Sequence, residues 1–433
     1  MTAPTISGKD VLYRLRELPG GEALLAVAAK RDDIELVGGA VRDLLLGHTP
    51  HELDVVVGEE GDSFARAAPL LAAELASQLN VLAGAEVTAV NEHERFITAT
   101  VKWNSGQIDV ATRRVEAYAT PGALPEVGAG TREQDLQRRD FTVNAISVAL
   151  GGSRRGRLYA AEHALEDLTA RRLRVLHDQS FIDDPTRLLR LARYAARLDF
   201  EIEPQTFELA RQAIADGALQ TVSGARLGAE LRLALHEAAP LDALAELQRL
   251  GVLSALHPRL RLEPLLLERA LALLDRTDRP DLLILAGLAL PLALRAGEDP
   301  RAEITALLDR LEFSAAERDR VAGAASAVPN LIEELPAAAS VAPSRLREVA
   351  MVIVPEGIAL AGAVSESAAQ PARWWLSELR YVALRIDGRD LLHEGVPEGP
   401  EIGRLLDAVL RRRLDGELPD AREAQLRAAL ELR

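Results

Sequence analysis

Leu36-Val37-Gly38-Gly39-Ala40-Val41-Arg42-Asp43, followed after a short helix-like stretch by His51-Glu52-Leu53-Asp54-Val55-Val56-Val57, decides how the chain is read. Side chains alternate faces along a strand, so Glu52 and Asp54 are expected on one side of a strand over 52–57, leaving Leu53, Val55 and Val57 to face a core. Two carboxylates at that spacing suit Mg²⁺, which keeps several waters and shares phosphate oxygens with a nucleotide instead of filling an all-protein cage. Gly38-Gly39 bares backbone N–H groups just before a helix N-terminus, a cradle for a triphosphate. Taken alone, each half of the pattern reads better as a glycine turn or as a strand with a wet face. Together they point to nucleotidyl transfer.

The rest of the composition narrows the class. A chain of 433 residues is long enough for about three domains at ~150 residues each. Aromatics make up only 3% while Leu, Ala and Val dominate the apolar fraction, which favours helix packing. Without cysteine there is no disulfide, thiolate metal site or cysteine nucleophile, and the cytoplasm is the expected compartment. The apolar run 282–294 is shorter than the ~20 residues of a membrane span, so no membrane association is expected. A net charge of −15 argues against indiscriminate nucleic-acid binding and leaves room for a local basic patch. Only three lysines occur (Lys9, Lys30, Lys102), so nearly every cation is an arginine, which forks onto phosphate.

Strand-like runs are expected at 34–37, 53–57, 81–90, 96–103 and 107–112, and almost none beyond residue 150. Helical spacing then takes over at 187–198, 225–235, 241–250, 265–274, 282–294, 303–311 and 344–354. Residues 119–130 and 151–157 read as a loop and a linker, with further breaks near 238–240, 337–343 and 395–400. The expected division is 1–150, 151–238, 239–340 and 341–433: an α/β first part followed by a helical array.

Two further stretches carry chemistry. Arg138-Arg139-Asp140-Phe141-Thr142-Val143-Asn144-Ala145 combines two guanidinium forks, an acceptor and an amide. Its arginines can clamp phosphates, Asp140 can orient them or accept from a ribose hydroxyl, and Asn144 is expected one turn beyond Asp140. Phe181-Ile182-Asp183-Asp184-Pro185-Thr186-Arg187 opens a long helix, with Asp184 placed to cap it and Arg187 one turn on. An acid beside an arginine can read the edge of a splayed base. Locally, a capped helix with a salt bridge explains each stretch equally well.

The order of the three blocks resembles the class II tRNA nucleotidyltransferases, which build the 3′ CCA end, and the closely similar bacterial poly(A) polymerases. The resemblance continues through Ser223-Gly224-Ala225-Arg226-Leu227-Gly228-Ala229-Glu230-Leu231 and, more weakly, 388–391 and 399–403, so it touches most of the chain. It implies an α+β fold: a polymerase-β-like nucleotidyltransferase head with a small mixed sheet, then an all-helical neck, body and tail. It implies Mg²⁺ at Glu52 and Asp54, with Asp109 as a third carboxylate, and a triphosphate pocket around Gly38, Gly39, Arg42 and Asp43. Arg139, Asp140 and Asn144 are implied as sugar and phosphate contacts, and Asp184 with Arg187 as the base-reading pair. The implied partners are the 3′ end of a tRNA acceptor arm and CTP and ATP. Arg411-Arg412-Arg413 is a candidate tRNA contact, although a solvated helix end explains it better.

This chain departs from the family pattern in three places. Glu52 stands where Asp is usual, Arg171 stands where the family has glycine, and Pro121-Gly122-Ala123-Leu124-Pro125 replaces a Gly-Arg-rich stretch. The last difference is similar to a branch whose members add only CC or only the terminal A. Alternatives are a bacterial poly(A) polymerase, which usually ends in a basic tail unlike 421–432, and an inactive RNA-binding protein, suggested by Glu52. The sequence does not reveal an oligomeric state.

Overall fold

The computed structural model describes residues 7–58, 64–82, 86–93, 96–294 and 299–433. The chain is α+β, with a mixed sheet early and helices after it, as expected. It separates into two compact units: Met1–Ser223 with Arg249–Val252, and Gly224–Gln248 with Leu253–Arg433.

The strands of the first unit are, in chain order, β1 (Ile34–Val37), β2 (Leu53–Val57), β3 (Val87–His93), β4 (Thr98–Trp103), β5 (Gly106–Thr112), β6 (Arg114–Ala117), β7 (Glu126–Ala129), β8 (Ile146–Ala149), β9 (Leu158–Ala160) and a short parallel pair of their own, β10 (Arg172–Leu173) and β11 (Glu201–Ile202). Seven of them form one sheet in the order β3-β4-β5-β2-β1-β8-β9, and β6 pairs with β7 as a separate hairpin. All neighbours in the large sheet are antiparallel except β2 and β5, which run parallel with Leu53 opposite Ile108 and Asp54 opposite Asp109. That register sorts the faces. Leu53, Val55, Val57, Ile108 and Val110 are buried on one side, where the Thr112 hydroxyl accepts from the backbone N–H of Ala68 at 3.2 Å. Ala68 belongs to helix Phe64–Leu82, which buries Leu71, Leu75 and Leu79 at one-turn intervals. Asp54 and Asp109 therefore lie on the opposite, open face.

Several elements differ from the sequence reading. Glu52 lies one residue before β2 and is exposed, so it precedes the strand instead of belonging to it. Residues 81 and 82 finish helix Phe64–Leu82 and the strand starts at Val87, while 83–85 lie outside the described residues. Within 119–130, Glu126–Ala129 is β7, paired to β6 despite its glycines. Residues 151–157 carry the turn between β8 and β9, both short strands that gave no alternation signal of their own.

In the second unit every described element is helical. Helix Pro280–Ala293 is apolar all round and buried along almost its whole length, as a central core helix should be. Among the described residues no helix is long and apolar enough to cross a membrane. The break expected at 337–343 narrows to Ala342, because helix Ala315–Val341 runs through Pro329 and Pro336. That helix is launched by a capping box between Ser314 and Glu317. Ile386, Leu391, Val396, Leu405, Val409, Ala428 and Ala429 make a separate small core near the C-terminus.

Candidate active site

The glycine turn follows β1 directly. Gly38 donates its N–H to Ile146 O at 3.0 Å and holds φ +68°, a left-handed value that favours glycine. A Cβ placed there would meet Arg139 Nη1 at 2.8 Å and lie 3.8 Å from Asp54 Oδ2. The bare backbone is therefore what keeps the space between the acid and the arginine open. Helix Gly39–Leu46 starts here and ends at Gly47, again left-handed. Its Arg42 is buried, donating to Asp43 Oδ1 at 2.8 Å and to Asn144 Oδ1 at 2.6 Å, so the two predicted stretches meet at this side chain.

Asp54 forms the floor. Burial, and then the neighbouring Glu52 carboxylate, push its pKa up to about 7, with Asp109 adding to the rise while Arg139 and Arg190 oppose it. Asp109 lies beside it across the β2–β5 register and is held at both oxygens: Oδ1 accepts from the Thr100 hydroxyl at 2.5 Å and Oδ2 from Gln107 Nε2 at 2.6 Å. A cleft of about 390 Å³ opens over Asp54, Asp109, Thr98 and Thr100 and is bounded by Arg138 and Arg139. Among the described residues no group of three His, Cys, Asp or Glu side chains is arranged to hold a metal. The donor set is a pair of hard oxygens facing an unmet negative charge, which fits a cation that completes its shell with water and phosphate.

The arginine wall is built on helix Arg132–Gln137, closed at its start by a capping box of Thr131 and Gln134. Asp135 on that helix accepts from Arg138 at 2.9 Å and from Arg139 at 3.0 Å. Burial works to raise its pKa, but the two guanidiniums win and hold it at about 2. Asp140 behaves alike: despite its burial, Arg190 at 2.7 Å and the Asn144 amide at 2.9 Å bring it to about 2. Asn144, expected one helical turn beyond Asp140, does meet it, although the turn is a 3₁₀ helix over Thr142–Asn144 that leaves Asp140 outside. Asp184 accepts from the Thr186 N–H and hydroxyl at 3.0 and 2.6 Å, just ahead of helix Thr186–Leu198. Arg187 is buried, donating to Ser180 Oγ and to the Arg138 carbonyl, both at 2.7 Å. A second cleft of about 320 Å³ is lined by Asp184, Arg187, Arg190, Asp140, Glu116 and Tyr118. Arg114, Arg138 and Arg139 line both clefts, so acid floor and base-side chamber adjoin at these residues.

Sequence reasoning missed Arg190, Glu116 and Tyr118. Arg190 was findable, since it is three residues beyond Arg187 on the same helix face. Glu116 and Tyr118 carried no signal, because residues 113–118 fall between the strand expected at 107–112 and the loop expected at 119–130.

Residues 34–174 match the family model described as the poly(A) polymerase head domain, and residues 199–262 the one described as the probable RNA- and SrmB-binding site of polymerase A. An A-adding tRNA nucleotidyltransferase of Geobacter sulfurreducens is 33% identical over 425 residues, covering 93% of this chain and 46% of the relative. The solved Thermotoga maritima CCA-adding enzyme complexed with tRNA superposes with a TM-score of 0.73 at 26% identity, covering 99% of each chain. By these matches the chain is similar to the family of tRNA nucleotidyltransferases and poly(A) polymerases. Within it, a CC-adding tRNA nucleotidyltransferase of Deinococcus radiodurans is 39% identical over 221 residues, 51% of this chain and 54% of the relative. The chain spans about half the length of the curated relatives it matches.

Arg171, where the resemblance leads one to expect glycine, ends helix Ala164–Ala170 at φ +53°, a left-handed value that glycine would favour.

Proposed function

We propose that the chain is a tRNA nucleotidyltransferase that adds all or part of the 3′-terminal CCA from CTP and ATP in the cytoplasm, releasing pyrophosphate. The observation that carries this is Asp54, a buried carboxylate beside Asp109 and across the Gly38 turn from Arg139, where neighbouring acids and burial outweigh the nearby guanidiniums. Relatives named for adding A and for adding CC support a partial form of the reaction.

In this reading the tRNA 3′-hydroxyl attacks the α-phosphorus of the nucleotide, the bond to the β-phosphate oxygen breaks, and pyrophosphate leaves. Mg²⁺ held by Glu52 and Asp54 would supply charge neutralisation at the attacking and leaving oxygens and lower the pKa of the hydroxyl. Asp109, fixed by Thr100 and Gln107, is the third carboxylate of the floor. Gly38, whose N–H is held by Ile146 O, shapes the turn and leaves only Gly39 to offer a backbone N–H to the triphosphate, while Arg42, braced by Asp43, closes that pocket. Arg139, Asp140 and Asn144 hold phosphate and sugar, and Asp184 with Arg187 read the base edge. Residues 1–150 serve as head, 151–238 as neck, 239–340 as body and 341–433 as a tail holding tRNA by shape and phosphate contact.

The test is incubation of the protein with tRNA ending at the discriminator base, and separately after CC, with each nucleotide alone and both together. Metal-dependent extension by C, CC, CCA or A is expected. Long adenosine tracts would favour a poly(A) polymerase, and no extension of either tRNA by folded protein would favour an inactive RNA-binding protein.

A further inference from the structure

The base-side chamber is polar on almost every side. Among the described residues that line it, Tyr118 is the one aromatic, in a chain whose aromatic content is only 3%. It stands one residue past β6, whose last pair, Ala117 opposite Glu126, fixes where it emerges. Its hydroxyl donates to Glu116 Oε2 at 3.1 Å, while Glu116 Oε1 accepts from Arg114 Nε at 3.0 Å and from Arg138 Nη1 at 2.9 Å. The ring is thereby tied, through a single carboxylate, to the arginine whose carbonyl holds Arg187. Burial and then Glu116 push the phenol up to about 12, with Arg187 and Asp184 close enough to act on it. It is a neutral ring pinned at its polar end, next to the pair assigned to the base edge.

Edge contacts do not hold a base by themselves; a splayed base also needs a surface for its π face, and pinned aromatic rings provide one at low entropic cost. We propose that Tyr118 is the surface on which the base of the incoming nucleotide stacks, with Glu116 as the positioning residue that holds the ring. Because every base has a π face, this contact strengthens binding of ATP and CTP alike and leaves the choice between them to Asp184 and Arg187. The proposal rests on the nucleotide-binding reading given above and goes beyond it in naming a stacking residue.

Calorimetric titration of the full chain with ATP, CTP and inorganic tripolyphosphate in Mg²⁺ tests it, with thermal melting to confirm folding. Tyr118→Leu is expected to weaken both nucleotides by about 10- to 100-fold and to leave tripolyphosphate within about twofold. Tyr118→Phe, which keeps the ring and loses its anchor on Glu116, is expected to weaken ATP and CTP by about 2- to 10-fold, the worth of one hydrogen bond, less than the Leu variant does, and to leave tripolyphosphate within about twofold. Unchanged nucleotide affinity in Tyr118→Leu, or an equal loss of tripolyphosphate, overturns the stacking role while leaving the enzyme reading intact. A Phe variant as weak as the Leu variant overturns it too, since the hydroxyl and not the ring would then matter. Parent protein that binds neither nucleotide overturns the wider reading and this inference together.

Discussion

The floor of the cleft and its wall are built from the same kinds of residue in opposite balance. On the floor, Asp54 faces Glu52 and Asp109 and is driven up to about 7; on the wall, Asp135 and Asp140 are just as shielded from water yet sit at about 2. Burial raises all three, so burial does not explain the difference. Partners do: Asp135 has Arg138 and Arg139, and Asp140 has Arg190 and Asn144, whereas Asp54 has more carboxylate than guanidinium around it. A fold that satisfies two buried acids and leaves a third in excess negative charge is what the proposed Mg²⁺ site calls for. Perturbed acids of this kind concentrate at functional sites.

Breaking the floor has the largest expected effect. Asp54→Asn should lower nucleotide incorporation by on the order of 10³-fold or more, since charge stabilisation at the reacting phosphate is the main catalytic term. The melting temperature at pH 8 should hold or rise, because the ionised carboxylate is a cost to the fold there. A fall in melting temperature of several degrees would mean that Asp54 is structural.

Breaking the wall should reverse that pattern. Asp135→Asn leaves Arg138 and Arg139 without their shared acid and should destabilise the protein by about 3–5 kcal/mol in denaturant unfolding at pH 7. The sign of its pH dependence follows from the lowered pKa. The ionisation-linked stabilisation from Asp135 is complete above its ordinary value of 3.8 and drains away as pH falls toward 2, so the gap between parent and variant should narrow by about 2 kcal/mol between pH 4 and pH 2. A gap that stays constant down to pH 2 would contradict the ion-pair account.

A finer probe is Arg187→Lys, which keeps the charge and removes the planar fork. Discrimination between CTP and ATP should drop by about 10- to 100-fold, as bidentate edge contacts are worth about 1–3 kcal/mol. Tripolyphosphate affinity should not move, and if it falls in step with selectivity the base-reading role is wrong. Smallest, and outside both regions, Arg171→Gly should stabilise the chain by up to about 1 kcal/mol by relieving the left-handed backbone, with incorporation unchanged. An unaltered denaturant midpoint would show that no strain resides there.

Much of this was legible because it is local. The Gly38-Gly39 turn, the strand bearing Asp54, and the order of the arginine and acid/Arg blocks announce themselves by spacing, and most helix positions followed from apolar periodicity. What stayed hidden depends on pairing. β6 and β7 are four residues each and pair only with each other, so neither alternates clearly enough to be read, and Glu116 and Tyr118 went unseen with them. Glu52 was placed inside the strand because period 2 extends naturally backward from Asp54, whereas pairing with β5 begins only at Leu53. The 27-residue helix Ala315–Val341 was hidden by two prolines that the surrounding packing tolerates. Asp135, the hub of the wall, looked like an ordinary helix acid: Arg138 and Arg139 stand three and four residues on, at helix spacing, but its burial shows only in the fold.

The most direct test of the central claim is incorporation of labelled ATP and CTP into tRNA lacking its 3′ end, by the parent chain and Asp54→Asn side by side, with Mg²⁺ and with chelator. The account predicts extension by the parent only when Mg²⁺ is present and essentially none by the variant, although both remain folded. Equal extension by the two proteins, or parent activity that survives chelation, would contradict it.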